Sequence, residues 1–236
     1  MQLDGQTVGI RTSAIEEKCQ AFETLVIYCS TLQARFAPYL AQTLELTLPS
    51  LRFYFHDGVR EACAMYIFFN ASLRFVTSLT PTFRLVPMLL SCGKASSTLT
   101  TQMVSASFHQ LINCIGAETD PSFMASLFKC FTDSLKVLGG PASLSNEFCN
   151  GITEATKRQL QILADKRKNR SQRPASELAD DTEDLALMEE IEDFALEDMA
   201  KLLYYLDPKH PLLVAVSSVK DLGFNQEDSD DDRDDL

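Results

Sequence analysis

The sequence predicts an all-α chain: an α-solenoid of antiparallel helix pairs, followed by a disordered acidic tail. Three observations carry this. Apolar residues recur at steps of three and four along most of the 236 residues, the period of a helix face. Alternating apolar and polar runs bounded by Asn-Gly or Asp-Gly turns, the mark of hairpins, are almost absent. Helix signals are clear: Asp120-Pro121 is a start and Gly139-Gly140-Pro141 a stop.

The elements follow in order. Ser13-Ala14-Ile15-Glu16 has the form of a capping box, in which the hydroxyl accepts from a free amide and the Glu reaches back. Behind it Ile15, Cys19, Phe22, Val26 and Cys29 make one buried stripe of a helix that ends near Leu32. A second helix is expected from about Ala34 to Phe55, with Phe36, Leu40, Leu44, Leu48, Leu51 and Phe55 as its stripe. Pro49 should bend it, because proline removes a donor and crowds the preceding turn. After a break at His56-Asp57-Gly58, Val59 opens a third helix. Further helices read at about 97–117, 120–138, 144–169, 182–206 and 210–222.

Paired, with first helices near 35, 97 and 144, these elements give a second spacing inside the roughly 40–47 residues of a HEAT or armadillo unit. The first spacing is too long by about 15–20 residues, and the surplus falls at 67–83, read as an insertion. The expected organisation is a HEAT-repeat segment over 9–169, a flexible linker over 170–181, an acidic amphipathic helix and its successor over 182–222, and a disordered tail over 223–236.

Charge is unevenly spread. The formal net charge is -12, yet residues 1–150 hold 10 basic and 11 acidic residues, residues 151–175 hold 7 and 2, and residues 176–236 hold 4 and 20. Nucleic acid is disfavoured as a partner, since phosphate neutralisation needs a basic surface. The seven cysteines, Cys19, Cys29, Cys63, Cys92, Cys114, Cys130 and Cys149, are odd in number and include no C-x-x-C pair, which argues for reduced thiols rather than a disulfide framework or zinc site. The most apolar stretch, Ala62–Leu79, contains Asn70 and Arg74 and falls short of a membrane span.

The most informative stretch is Leu48-Pro49-Ser50-Leu51-Arg52-Phe53-Tyr54-Phe55-His56-Asp57-Gly58-Val59-Arg60-Glu61-Ala62, a HEAT-type signature. Asp57 can cap the second helix, Val59 packs inward, Ala62 lets paired helices approach, and Arg60 can bond a neighbouring turn. His56 beside Asp57 has no nucleophile near it, so a structural role is expected rather than catalysis.

Phe53-Tyr54-Phe55-His56-Asp57-Gly58-Val59-Arg60 resembles the corresponding turn in the beta-3 branch of the importin (karyopherin-β) family. Ile10-Arg11-Thr12 with Glu16-Glu17-Lys18-Cys19, Gly116-Ala117-Glu118-Thr119-Asp120-Pro121 and Lys136-Val137-Leu138-Gly139 resemble further parts of it. The resemblance implies an interior segment of a longer solenoid from a nuclear transport receptor. That family implies basic cargo proteins, the Ran GTPase and nucleoporins as partners, no cofactor and no enzymatic activity, and a life in cytoplasm and nucleus. The alternative is a structural HEAT scaffold or regulatory subunit of a protein complex.

Two charged segments remain. Lys157-Arg158, Lys166-Arg167-Lys168, Arg170 and Arg173 read as a solvated helix end suited to the helix dipole, against a sharper reading as a nuclear-localisation-like patch. On the later helix, Leu187, Ile191, Phe194, Ala195, Met199, Leu202 and Leu206 form an apolar stripe. Glu189, Glu190, Glu192, Asp193, Glu197 and Asp198 fill much of the remainder and are the candidate surface for a basic partner.

Overall fold

The computed structural model describes residues 2–3, 6–7, 12–53, 57–64, 84–172 and 182–222. Apart from a short antiparallel ladder, Gln2–Leu3 (β1) against Gln6–Thr7 (β2), its regular structure is helical. The α-helices are α1 (Thr12–Leu32), α2 (Leu40–Ser50), α3 (Asp57–Ala64), α4 (Leu85–Ala95), α5 (Thr101–Ala117), α6 (Pro121–Leu138), α7 (Asn146–Ser171), α8 (Thr182–Leu206) and α9 (Leu212–Lys220). The expected insertion at 67–83, His56, most of the linker and the acidic tail lie outside the described residues. The chain divides into two compact units, Met1–Cys114 with Cys130–Phe148, and Ile115–Lys129 with Cys149–Leu236.

In the first unit, α1 begins at Thr12, so Ser13 lies inside the helix rather than at its cap. Ile15, Phe22 and Cys29, two turns apart each, are its buried residues, with Cys19 and Val26 half-buried. The expected continuous helix over 34–55 is corrected. Gln33 takes a left-handed conformation with φ 47° and a 3-10 helix runs over Gln33–Tyr39 before α2 starts at Leu40. Pro38 lacks the N–H that an α-helix would need there. Pro49 sits in the last turn of α2 and precedes its end rather than bending it midway. Of the expected stripe, Phe36, Leu40, Leu44, Leu48 and Leu51 are all buried, and Phe55 lies outside the described residues.

Helix α4 has no counterpart in the expectation. Leu85, Val86, Leu89, Leu90, Cys92 and Gly93 are all buried, and the exposed residues Ser91, Lys94 and Ala95 are confined to the last turns, too short a polar strip for a periodicity argument to detect. Gly93 permits a close approach: a Cβ there would lie 2.7 Å from Leu40 Cδ2 and 3.1 Å from Leu99. Arg84, just before α4, pairs with Asp133 of α6, and Lys94 Nζ donates to the Val137 carbonyl at 2.6 Å. Phe108 meets Phe131 edge-on with centroids 4.9 Å apart and lies 5.7 Å from Phe148.

Both punctuation signals hold. Asp120 accepts from the Ser122 and Phe123 amides at 3.1 and 3.3 Å, capping α6. At its other end Gly139 and Gly140 adopt φ of 109° and 99°. Their amides reach the Lys136 and Leu135 carbonyls at 3.1 and 2.9 Å, the paired bonds of a Schellman stop.

In the second unit the core is Ile115, Phe123, Met124, Leu127, Phe128, Ile152, Leu160 and Leu163, with Leu196, Met199, Leu202, Leu203, Val216 and Val219 from α8 and α9. Buried Gln159 donates its Nε2 to the Ile115 and Glu118 carbonyls at 2.6 and 3.0 Å. A side chain from α7 thereby adds a donor at the end of α5, where the Ile115 carbonyl also accepts from the Glu118 amide at 3.4 Å. The Glu118 carboxylate completes that turn by accepting from the Thr119 and Asp120 amides at 2.9 and 3.0 Å.

Candidate functional site: the acidic helix and its arginines

The last turns of α7 carry Arg167 and Arg170, three residues apart and therefore on one face. Helix α8 carries Glu189, Glu192 and Asp193 at the matching offsets of three and four. The two sets meet. Arg167 is 1% exposed and uses all three of its nitrogens. Its Nε donates to Glu192 Oε2 at 3.0 Å, and its Nη2 to Asp193 Oδ1 at 2.8 Å and to the Glu189 carbonyl at 3.4 Å. Its Nη1 donates to the Val219 and Lys220 carbonyls, both at 3.2 Å, at the C-terminal end of α9. A cation at that end also meets the negative pole of the helix dipole.

Arg170 is 8% exposed and grips Glu192 with both Nη atoms, the Nη1 bond to Oε1 being 2.9 Å. Its Nε lies 3.9 Å from Glu189 Oε1. The hydrogen bond with Glu192 is the main reason the Arg170 guanidinium is held above its ordinary pKa. Glu192, 1% exposed, is thus clasped by two guanidiniums. Burying these charges is costly, and the fork-shaped, multiply bonded geometry offsets that cost.

The six acidic residues expected to face a basic partner therefore divide. Glu192 does not belong to a surface: its carboxylate is enclosed by arginines of the same chain. Asp193 is bound to Arg167 and half-buried. Glu189 is half-buried beside Arg170, and Asp198 pairs with Lys201 at 2.8 Å. Glu190 is exposed, and Glu197 is exposed with only a 3.5 Å contact to Lys220, itself nearly half exposed. Leu187, Phe194 and Tyr204 are also exposed on α8. Their spacing, 187, 190, 194, 197, 201 and 204, follows one helix face. The outward face of α8 is thus two carboxylates, Lys201 and three large apolar side chains.

The basic run is likewise corrected. Arg167 and Arg170 point inward as structural ligands, and α7 extends through Ser171, so Arg170 is helical rather than part of a linker. The signal for this was available as arginines at i, i+3 preceding carboxylates at i, i+3, i+4. Either charged run taken singly matches a solvated helix face, and only their pairing shows the clasp. Beside the clasp lies a groove of about 720 Å³ lined by Asp120, Lys166, Asp184, Leu185, Met188 and Ile191 among others. In the repeat turn, α3 opens at Asp57, Val59 is buried as expected, and Arg60 is buried too. Among the described residues no helix is long and apolar enough to cross a membrane, and no group of three or more His, Cys, Asp or Glu residues is placed to hold a metal ion.

Residues 123–206, from α6 through α8, match the family described as importin repeat 6. The chain is 28% identical over 204 residues to importin subunit beta-3 of Saccharomyces cerevisiae, a match covering 84% of this chain and 16% of that relative. Its fold resembles the crystal structure of Kap121p bound to RanGTP, with a TM-score of 0.63 and 23% identity, over 94% of this chain and 18% of that one. Kap121p bound to Nup53p is similar at a TM-score of 0.62 and 22% identity, again over 94% of this chain and 18% of that one. The chain therefore spans less than a fifth of the length of these relatives. Over residues 123–206 the chain is thus similar to an importin repeat, over most of its length it is similar to part of importin subunit beta-3, and its helical fold is that of a segment of the Kap121p solenoid.

Proposed function

We propose that this chain works as a segment of a nuclear transport receptor, holding basic cargo signals and answering to Ran-GTP in the import of proteins into the nucleus. The observation that carries this reading is the match of 84% of the chain to importin subunit beta-3. Complexes of Kap121p with RanGTP, Nup53p, Ste12p and Pho4p supply the partner classes. By that kinship the chain acts through non-covalent binding, contacts nucleoporins and moves between cytoplasm and nucleus.

The basic character of the cargo rests on the outward face of α8. Glu190 and Glu197 remain open to a partner, and Leu187, Phe194 and Tyr204 beside them offer apolar contact. Such a face suits a lysine-rich segment with aliphatic or aromatic residues between its charges.

The test is titration of a labelled lysine-rich peptide with the chain at about 50 mM and about 200 mM salt, with and without Ran-GTP. The expected result is binding that weakens with salt, yields to Ran-GTP and falls roughly tenfold in Glu190→Lys/Glu197→Lys. Absence of binding to either the peptide or Ran-GTP at the lower salt overturns the reading. Stable co-purification with one enzyme partner instead would favour a scaffold.

A further inference from the structure

Two thiols in the first unit meet in a way that the transport reading does not use. Cys29 lies in the last turn of α1, where backbone carbonyls have no partner within the helix. The Cys92 thiol of α4 fills that need, donating to the Cys29 carbonyl at 3.5 Å. Both residues line one groove of about 640 Å³, together with Arg84, Met88, Asp133 and Lys136. Neither cysteine is in a disulfide. We propose that Cys29 and Cys92 form a redox-active dithiol, which hydrogen peroxide closes to an intrachain disulfide joining α1 to α4.

The two thiols are unequal. The Cys29 thiol is pushed well above its ordinary pKa, chiefly by its hydrogen bond with Cys92 and then by burial. The same hydrogen bond draws Cys92 below its ordinary value, against its burial. Cys92, 4% exposed against 1% for Cys29, is the sulfur that peroxide reaches first from the groove, and Cys29 is the resolving partner. The Cys92 sulfur attacks one peroxide oxygen, the O–O bond breaks, and the departing hydroxide takes up a proton to leave as water. Cys92 is then a sulfenic acid. The Cys29 sulfur next attacks the Cys92 sulfur, the S–O bond breaks, and a second water leaves with the Cys29 proton. Two thiols lose two electrons, and one peroxide becomes two waters.

None of the other buried thiols, Cys63, Cys114 and Cys130, lines this groove. Burial raises both Cys63 and Cys130.

The experiment oxidises the folded chain with a stoichiometric amount of hydrogen peroxide, alkylates the remaining thiols after unfolding, and maps the digest by mass spectrometry. A urea-unfolded sample is treated in parallel. The expected result is a cross-linked pair of peptides carrying Cys29 and Cys92, lighter by two hydrogens, removed by dithiothreitol and selective to the folded sample. Recovery of Cys29 and Cys92 as separately alkylated residues, while half-buried Cys19 or Cys149 has been oxidised, overturns the proposal. So does a bridge from either residue to a different cysteine.

Discussion

Replacing Glu192 by leucine tests the buried clasp most directly. The substitution keeps a similar volume but removes a carboxylate that accepts from Arg167 Nε at 3.0 Å, from Arg170 Nη1 at 2.9 Å and from Arg170 Nη2. Two guanidiniums, 1% and 8% exposed, stay behind. Arg167 keeps Asp193 at 2.8 Å, but the remaining acid near Arg170, Glu189, is 3.9 Å away and beyond hydrogen-bond reach. Leaving one side of a buried ion pair without its partner costs about 3–5 kcal/mol. Hydrogen exchange reads the local stability of α8 directly. Amides of α8 should exchange roughly 10²- to 10³-fold faster in Glu192→Leu, since each 1.4 kcal/mol is about a factor of ten. Adding Arg170→Met removes one stranded charge and should restore about 1–3 kcal/mol. A loss below about 1 kcal/mol in the single variant, or further loss in the double variant, refutes the argument that charge imbalance dominates.

Gln159→Leu removes the side-chain donor from the Ile115 and Glu118 carbonyls and should cost about 1–3 kcal/mol, because the Ile115 carbonyl keeps the Glu118 amide at 3.4 Å. Hydrogen exchange at 115–120 should rise with it, and unchanged protection there counts against the capping role. Cys130, fully buried, is pushed up to about 12 from the ordinary thiol value of 9.0, chiefly by burial. The folded state keeps this proton while the unfolded state loses it, so the stability it supports is complete below pH 9.0 and is lost as pH rises toward about 12. The loss should run at about 1.4 kcal/mol per pH unit. Denaturant midpoints of Cys130→Ala should show a shallower decline above pH 9.0, and parallel curves for the two proteins would contradict the assignment.

Legibility in the sequence tracked how local each cause was. The stops at Gly139-Gly140 and the start at Asp120-Pro121 depend on backbone conformation and capping within a few residues, and both appear as read. The stripe from Phe36 to Leu51 was visible because each residue's burial follows from helical period. The break inside it was not, since a left-handed Gln33 and a 3-10 turn carry no strong composition signal. Helix α4 was invisible for the opposite reason: its first two turns are almost wholly buried, and its exposed residues, Ser91, Lys94 and Ala95, make too short a polar strip to mark an amphipathic helix.

The candidate site shows the same division. By itself the sequence determined an all-α chain, the inward position of Val59 and the concentration of acid on α8, because propensity, capping and charge content are properties of short segments. Only the tertiary structure decided which charges face a partner. Glu192 and Glu190 are two residues apart, and nothing in composition separates them. The fold turns one toward Arg167 and Arg170 and leaves the other in solvent. An ion pair spanning 22 or 25 residues exists only once two helices are docked. Desolvation then makes that docking selective, because a buried arginine tolerates few neighbours other than the carboxylate that matches its fork.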